Sequence, residues 1–254
     1  MSNSRFYNLS QLVIGTTIAL SDNVATHAVR VLRLQVGDEI ILFNGDGMDY
    51  TCELIDVKKN SVLAIVKSYS VVKNESPLSI TLLQGISINE RMDYTIQKAV
   101  ELGVSAIVPI STERSVVKLS AERAEKRQEH WQNVVHAACE QSGRAFVPIV
   151  AAPISLLAWL AANIYAPSGQ GDFNNKSPTR ILLNPVGAMR LVDMPKPAGN
   201  IELLIGAEGG LAKAEIEMAV AKGFQSIILG PRILRTETAA LTAIAAMQTL
   251  WGDF

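Results

Sequence analysis

The chain has 254 residues, 48% of them hydrophobic and 19% charged, with a formal net charge of -1; that length favours two domains of roughly 100–200 residues each over a single core. The near-neutral balance excludes nucleic-acid binding by bulk positive charge, so any such contact must be a local basic patch. The two cysteines, Cys52 and Cys139, lie far apart without metal-ligand spacing, which argues against a disulfide framework or a zinc site and for a reducing, cytoplasmic setting. MSNSRFYNLS lacks the pattern of a signal peptide, and no apolar run approaches the roughly 18 residues of a membrane span.

From Arg5 to about Tyr69 the pattern predicts short strands, as in Glu39–Phe43 and Val62–Val66, broken by the turn-rich stretch Asn44–Asp49. This reads as a small β-barrel. One helix interrupts it, with Ser21 as a capping residue and Val24, Ala28, Val31 and Leu32 at helical spacing, leaving His27, Arg30 and Arg33 on a basic face. The polar segment Val72–Pro77 marks a boundary, dividing the chain into domains 1–72 and 73–254.

Beyond it the rhythm is strand, helix, strand, helix. Ile80–Ile86 reads as a buried strand, Glu90–Leu102 as a helix closed by Gly103, and Ala106–Ile110 as the next strand. A long helix runs from a Ser120 cap to Gly143, with Trp131, Val134, Val135, Ala138 and Cys139 as its apolar stripe. Further strands are predicted at Val147–Val150, Arg180–Leu183, Ile201–Ile205 and Ser226–Leu229, with helices at Ala214–Lys222 and Glu237–Trp251. Alternation of this kind predicts an α/β domain with a mainly parallel sheet. The stretch Ala166–Thr179 is rich in Gly, Ser, Asn and Pro and reads as an exposed loop.

Two glycine-bearing loops stand out. In IGAEGG (205–210) three glycines lie between a strand and a helix, where backbone can approach a ligand at the carboxyl end of a sheet; a plain tight turn accounts for the same spacing equally well. The motif matches neither GxGxxG nor GxxxxGK[ST], and Glu208 would repel a pyrophosphate, so a dinucleotide fits poorly and an oxidoreductase is a distant reading. In LGPRILRTETA (229–239), Arg232 and Arg235 precede a helix whose cap is expected at Thr236. Isolated arginines are usually surface charges; two beside a candidate ligand loop favour function. The last helix is mostly Ala, Leu, Ile and Met around its circumference, as burial on several sides requires.

At these residues the sequence resembles the bacterial 16S ribosomal RNA (uracil-N3)-methyltransferases of the SPOUT class. The resemblance covers nearly the whole chain: Arg5-Phe6-Tyr7, HAVRVLRLQVGDEI (27–40), MDYTIQKAVELGV (92–104), PISTERSVVKL (109–119), EQSGR (140–144) and the two loops. It implies an N-terminal PUA-like barrel for RNA recognition and a C-terminal SPOUT domain with a deep trefoil knot. It also implies S-adenosylmethionine as cofactor, held among three loops at Leu183–Asn184, Ile205–Gly210 and Leu229–Leu234. The residues expected to hold it are Leu183 and Asn184; Ile205, Gly206, Gly209 and Gly210; and Leu229, Gly230, Ile233 and Leu234. Departures from the family pattern are Ala207 for a usual proline, Asn184 for a common aspartate, and Ala212 for a helix-capping serine.

The implied reaction is methylation of N3 of a uridine of 16S ribosomal RNA in the assembled small subunit, by a cytoplasmic homodimer with no metal and no membrane association. Removal of the N3 proton leaves an anion that Arg232 and Arg235 can stabilise, and Glu237 is the carboxylate within the motif, as general base or merely as a helix N-terminal charge. RNA contacts are expected from Arg5, Arg30, Arg33, Arg91 and Arg114. Alternatives are another SPOUT activity on ribose 2′-O or guanine, and a non-catalytic RNA-binding or ribosome-assembly module.

Overall fold

The computed structural model describes residues 4–58, 61–162, 177–186 and 189–254, which fall into two compact units. One comprises the N-terminal residues through Glu75 together with His136–Val147; the other comprises Ser76–Val135 and Pro148–Phe254. The loop expected at 166–179 lies almost wholly outside the described residues.

In the first unit, strands β1 (Ser4–Tyr7), β2 (Thr17–Ala19), β3 (Glu39–Phe43), β4 (Met48–Lys58) and β5 (Ser61–Val71) form one sheet in the order β1-β3-β4-β5-β2. All pairings are antiparallel except β1 with β3. Register shifts at Thr51/Cys52 and Leu54/Asp56 bend the long β4–β5 ribbon. The inward positions of β3 to β5, Ile40, Leu42, Cys52, Leu54, Val62, Ala64 and Val66, share one core with Phe6, Leu12 and Leu20. Alternation along the strands is what selects them. The expected barrel is therefore a wrapped sheet whose ladder, among the described residues, is open between β1 and β2.

The expected helix here is in two parts: α1 (Asp22–Thr26), then a π-helical turn over His27–Val31. Ser21 occupies the N-cap position but makes no side-chain cap bond. Ala25 and Ala28 are buried in the core, and Arg30 and Arg33 are exposed.

The second unit is built on a sheet in which every pairing is parallel, ordered β11-β13-β10-β12-β6-β7-β8 with β9 also on β7. Its elements are β6 (Ile80–Gly85), α2 (Asn89–Glu101), β7 (Ala106–Ser111), α3 (Ala121–Ser142), β8 (Ile149–Val150), β9 (Ile154–Ser155), α4 (Leu156–Ala161), β10 (Thr179–Leu183), β11 (Met189–Arg190), β12 (Ile201–Ile205), α5 (Lys213–Ala221), β13 (Gln225–Ile228) and α6 (Thr236–Trp251). β6 and β12 are buried along their whole length, as expected of parallel strands covered on both faces. On α2, Met92, Ile96, Ala99 and Val100 are fully buried at the i, i+4, i+7, i+8 spacing of one helical face.

Two expectations are corrected, and one segment without an earlier assignment gains structure. β8 begins at Ile149, not Val147, because Pro148 has no N–H to give a ladder. The run ISLLAWL forms β9 and α4, the latter capped by the Ser155 hydroxyl accepting the Ala158 N–H at 3.1 Å. The boundary falls after Glu75, and the end of α3 groups with the first unit, which the division 1–72 and 73–254 does not include. Within that unit Tyr7 stacks on His136 with centroids 3.9 Å apart, and Arg144 pairs with Glu75 at 2.6 Å.

Ala212, at the N-cap of α5, offers no side-chain acceptor. Glu215 partly compensates: its buried carboxylate takes the Ala212 N–H and the Glu113 N–H, each at 2.8 Å. The first of these is half of a capping box.

Candidate active site

Because the sheet is parallel, its carboxyl ends lie along one edge, the usual place for a ligand in such folds. Strands β13, β10 and β12 are neighbours, and the loops that leave them enclose a cleft of about 880 Å³, within the range typical of small-molecule sites. All ten residues expected to hold the cofactor line it: Leu183 and Asn184 after β10, Ile205, Gly206, Gly209 and Gly210 after β12, and Leu229, Gly230, Ile233 and Leu234 after β13. Leu183, Ile205, Ile227, Leu229 and Leu234 give it apolar walls.

The loops are shaped by backbone close to backbone. A Cβ on Gly85, at the end of β6, would lie 2.3 Å from the Ala207 nitrogen, so only glycine lets IGAEGG lie against β6. Gly230 has φ +117°, which side chains rarely adopt, and a Cβ there would meet no atom within 4 Å. The main chain of that loop is bare where it borders the cleft.

Among the lining residues Arg91, Arg114, Lys213, Arg232 and Arg235 are cationic and Glu208 and Glu217 anionic, five against two. This is the local positive patch that the overall balance required. Arg91 comes from the first turn of α2 and Arg114 from the loop after β7; Arg91 Nη1 lies 3.7 Å from Glu208 Oε1, and Arg114 Nη1 donates to the Gly209 carbonyl at 3.3 Å. Arg232 and Arg235 are exposed and have no ion-pair partner among the described residues. They are free to meet an anion without first breaking a bond. Glu208 also accepts the Ile88 N–H at 2.9 Å, tying its loop to the β6–α2 connection.

Glu237 stands apart. It is not among the lining residues; it sits in the first turn of α6, where a carboxylate is favoured by the helix dipole, and its Oε2 is buried without a hydrogen-bond partner among the described residues. The helix cap is also displaced: Arg235 holds the N-cap position, and the Thr236 hydroxyl donates instead to the Gly206 carbonyl at 2.6 Å.

In the first unit Arg5, expected at the RNA, is bonded to its own neighbours. Its guanidinium donates to Asp49 and to the carbonyls of Cys139 and Arg144, and lies 3.7 Å from the centroid of Phe43. Its side chain is 9% exposed. Four of its five N–H groups are bonded internally, so Arg5 ties together the parts of this unit. Arg30 and Arg33 remain exposed, and Arg33 has φ +56°, rare for a side-chain-bearing residue. His27 sets its ring edge-on to Phe6, with centroids 5.7 Å apart.

The cysteines are buried, and burial pushes Cys52 up to about 11 and Cys139 up to about 12, so neither thiol is available as a nucleophile near neutral pH. His130 bonds Asp93 at 2.8 Å, and His136 is packed on Tyr7. No group of three or more His, Cys, Asp or Glu suited to a metal ion occurs among the described residues. No helix among them is long and apolar enough to cross a membrane.

S-adenosylmethionine fits this cleft. Gly210 and Gly230 offer main chain with open space beside it, the apolar walls suit a purine ring, and a mixed lining of arginines and Glu208 suits a ligand with both a carboxylate and cationic centres. Sequence reasoning found the three loops but not Gly85 and Ile88, whose parts are backbone spacing and a backbone N–H that no motif displays.

Comparison with known proteins bears on the same regions. Residues 74–248 match the family model of the RNA methyltransferase domain, and residues 20–67 match that of the RNA methyltransferase PUA domain. Ribosomal RNA small subunit methyltransferase E of Buchnera aphidicola is 34% identical over 249 residues, covering 98% of this chain and 97% of the relative. A crystal structure of ribosomal RNA small subunit methyltransferase E from Neisseria gonorrhoeae bound to S-adenosylmethionine is 42% identical, with TM-score 0.87 and full coverage of both chains. A Legionella pneumophila structure in complex with S-adenosylmethionine is 36% identical, with TM-score 0.90 and full coverage of both. With the PUA-type unit first and the α/β SPOUT unit after it, the chain belongs to the ribosomal RNA small subunit methyltransferase E family.

Proposed function

We propose that the chain methylates N3 of a specific uridine of 16S ribosomal RNA, using S-adenosylmethionine and acting on the assembled small subunit. The observation that carries this reading is the three-loop cleft, with Arg232 and Arg235 at its border, in a chain that belongs to this family over almost its whole length.

When bound, S-adenosylmethionine supplies a methyl group on an excellent leaving group, so the protein's share is positioning and electrostatics. IGAEGG and LGPRILR bring bare main chain and apolar side chains to the cofactor. Arg232 and Arg235 face the entering base, where a positive charge stabilises the anion left when N3 loses its proton. Arg91 and Arg114 extend the cationic surface toward the ribose-phosphate backbone, and Arg30 and Arg33 supply contacts from the PUA-type unit. No covalent adduct with the enzyme is needed.

The same reading includes a homodimer in the cytoplasm. Ile233 is 85% exposed beside the cleft, and Leu250, near the end of α6, is 41% exposed; a second copy is a suitable cover for both. Light scattering on the purified chain measures the oligomeric state, and a monomer at micromolar concentration would remove this part.

The decisive experiment uses small ribosomal subunits from a strain lacking the gene. Incubation with the protein and S-adenosylmethionine, followed by nucleoside mass spectrometry and mapping, should yield N3-methyluridine at one position. Naked 16S RNA should react more slowly, because recognition of folded RNA leans on shape. A product methylated only on ribose or guanine would refute the reading.

A further inference from the structure

A polar chain runs through the apolar centre of the second unit. Gln84, on β6 beside Ile205 of β12, is completely buried between strands that are otherwise almost wholly apolar. Its amide Nε2 donates to the Thr236 hydroxyl at 2.9 Å and to the Gly85 carbonyl at 3.1 Å. The Thr236 hydroxyl in turn donates to the Gly206 carbonyl at 2.6 Å.

The direction of this relay is fixed by chemistry. A carbonyl only accepts, so the single hydroxyl proton of Thr236 goes to Gly206, and the hydroxyl must accept from Gln84. That orients the Gln84 amide with Nε2 toward Thr236. Its Oε1 is left buried without a hydrogen-bond partner among the described residues, a costly state that an apolar side chain would avoid. Gly206 opens the IGAEGG loop, and Thr236 follows directly on LGPRILR. The two hydrogen bonds therefore hold two walls of the cleft at a set separation, anchored on β6.

We infer that Gln84 and Thr236 are positioning residues for the cofactor: their relay pins the Gly206 carbonyl and preorganises the IGAEGG and LGPRILR loops for S-adenosylmethionine. Neither side chain needs to touch the reacting atoms. The inference rests on the cleft being the cofactor site.

The test is calorimetric titration of the full chain with S-adenosylmethionine and with S-adenosylhomocysteine, without RNA, on the parent, T236V, T236S and Q84M. T236V keeps the shape of threonine and loses the hydroxyl; its Kd should rise about 3- to 10-fold, and Q84M should do the same, as expected for loss of one buried hydrogen bond. T236S keeps the hydroxyl and should stay within about 2-fold of the parent. Because the relay is one unit, the double variant should be no weaker than about the poorer single variant. In turnover on small subunits, KM for the cofactor should rise while kcat at saturation changes less than about 3-fold. Should T236V fail to fold, T236S and Q84M still decide the matter. Unchanged Kd in folded T236V and Q84M, or loss in T236S equal to that in T236V, overturns the inference alone. A parent that binds neither ligand overturns the proposed function as well.

Discussion

Arg5 and Asp49 are joined by three hydrogen bonds, from Nε to both carboxylate oxygens at 3.0 and 3.2 Å and from Nη2 to Oδ1 at 2.7 Å. The same guanidinium also reaches the Cys139 and Arg144 carbonyls. Arg5→Ala should lower stability by about 3 kcal/mol, in the range for breaking a largely buried pair and leaving its partner uncompensated. Arg5→Lys should recover little of this, since an ammonium cannot reproduce the planar fork. Chemical denaturation read by far-UV circular dichroism measures both, and a loss under about 1 kcal/mol for Arg5→Ala would show that these bonds do little to hold the unit together.

Gly230 permits a prediction that separates conformation from space. Since a Cβ there meets nothing within 4 Å, Gly230→Ala creates no clash and suffers only from φ +117°. The strain, about 1–3 kcal/mol, should move the loop and weaken S-adenosylmethionine binding about 10-fold. Gly223 is the control: its Cβ position is also free and its φ is +90°, but it is not among the residues lining the cleft. Gly223→Ala should cost stability while leaving the affinity within about 2-fold, which calorimetry beside thermal unfolding can read.

Arginine and carboxylate at the start of α6 should behave differently. Arg235→Ala and Arg232→Ala should each reduce kcat/KM on small subunits about 10²-fold, as expected when one group that stabilises a developing anion is lost. Glu237→Gln should stay within about 5-fold, because this side chain does not line the cleft of its own chain. Initial rates with labelled cofactor decide it; a fall of 10²-fold or more in Glu237→Gln, in the range of a lost general base, would restore the carboxylate as a catalytic candidate.

His136 should confer a pH dependence on stability. Burial lowers its pKa from 6.5 to about 4, so the unfolded chain binds the proton more readily. The contribution is complete above pH 6.5 and is lost as the pH falls from 6.5 toward 4. Glu140 acts in the opposite sense: burial raises its pKa above 4.5, so its contribution is present at low pH and fades as pH rises through its folded pKa. His136→Phe retains a ring to stack on Tyr7 and removes only the first effect. Urea unfolding between pH 7.5 and 5 should show a shallower decline for the variant than for the parent, and parallel curves would count against the assignment.

How much of this could be read beforehand depends on whether a residue acts through its pattern or through its neighbours. The period-2 runs of β3 and β5, the helical face of α2 and the buried parallel strands were legible, because burial imposes a repeat on the sequence. So were two of the three cleft loops, IGAEGG and LGPRILR, whose glycines and arginines cluster within a few positions, whereas Leu183–Asn184 came only from the family resemblance. Thr236 was read as a cap because threonine before an apolar helix usually is one. Its hydroxyl is instead drawn to Gly206, some thirty positions earlier. The internal bonding of Arg5 was hidden for the same reason, since nothing beside Arg5-Phe6-Tyr7 points to Asp49, Cys139 and Arg144. Glu237 is the carboxylate nearest in the motif, and position along a helix does not reveal that it lies outside the lining of the cleft.

The return of the chain to its N-terminal unit limits how that unit can be handled. Residues 4–75 alone would leave Arg5 without its carbonyl acceptors, Tyr7 without His136, and Glu75 without Arg144. A fragment cut after Glu75 is thus an incomplete fold, not a domain with a ragged end. Grafting a relative's recognition unit onto this chain would require two exchanges at once, residues 1–75 and the stretch 136–147, with the long helix spliced mid-course so that its turns remain in phase.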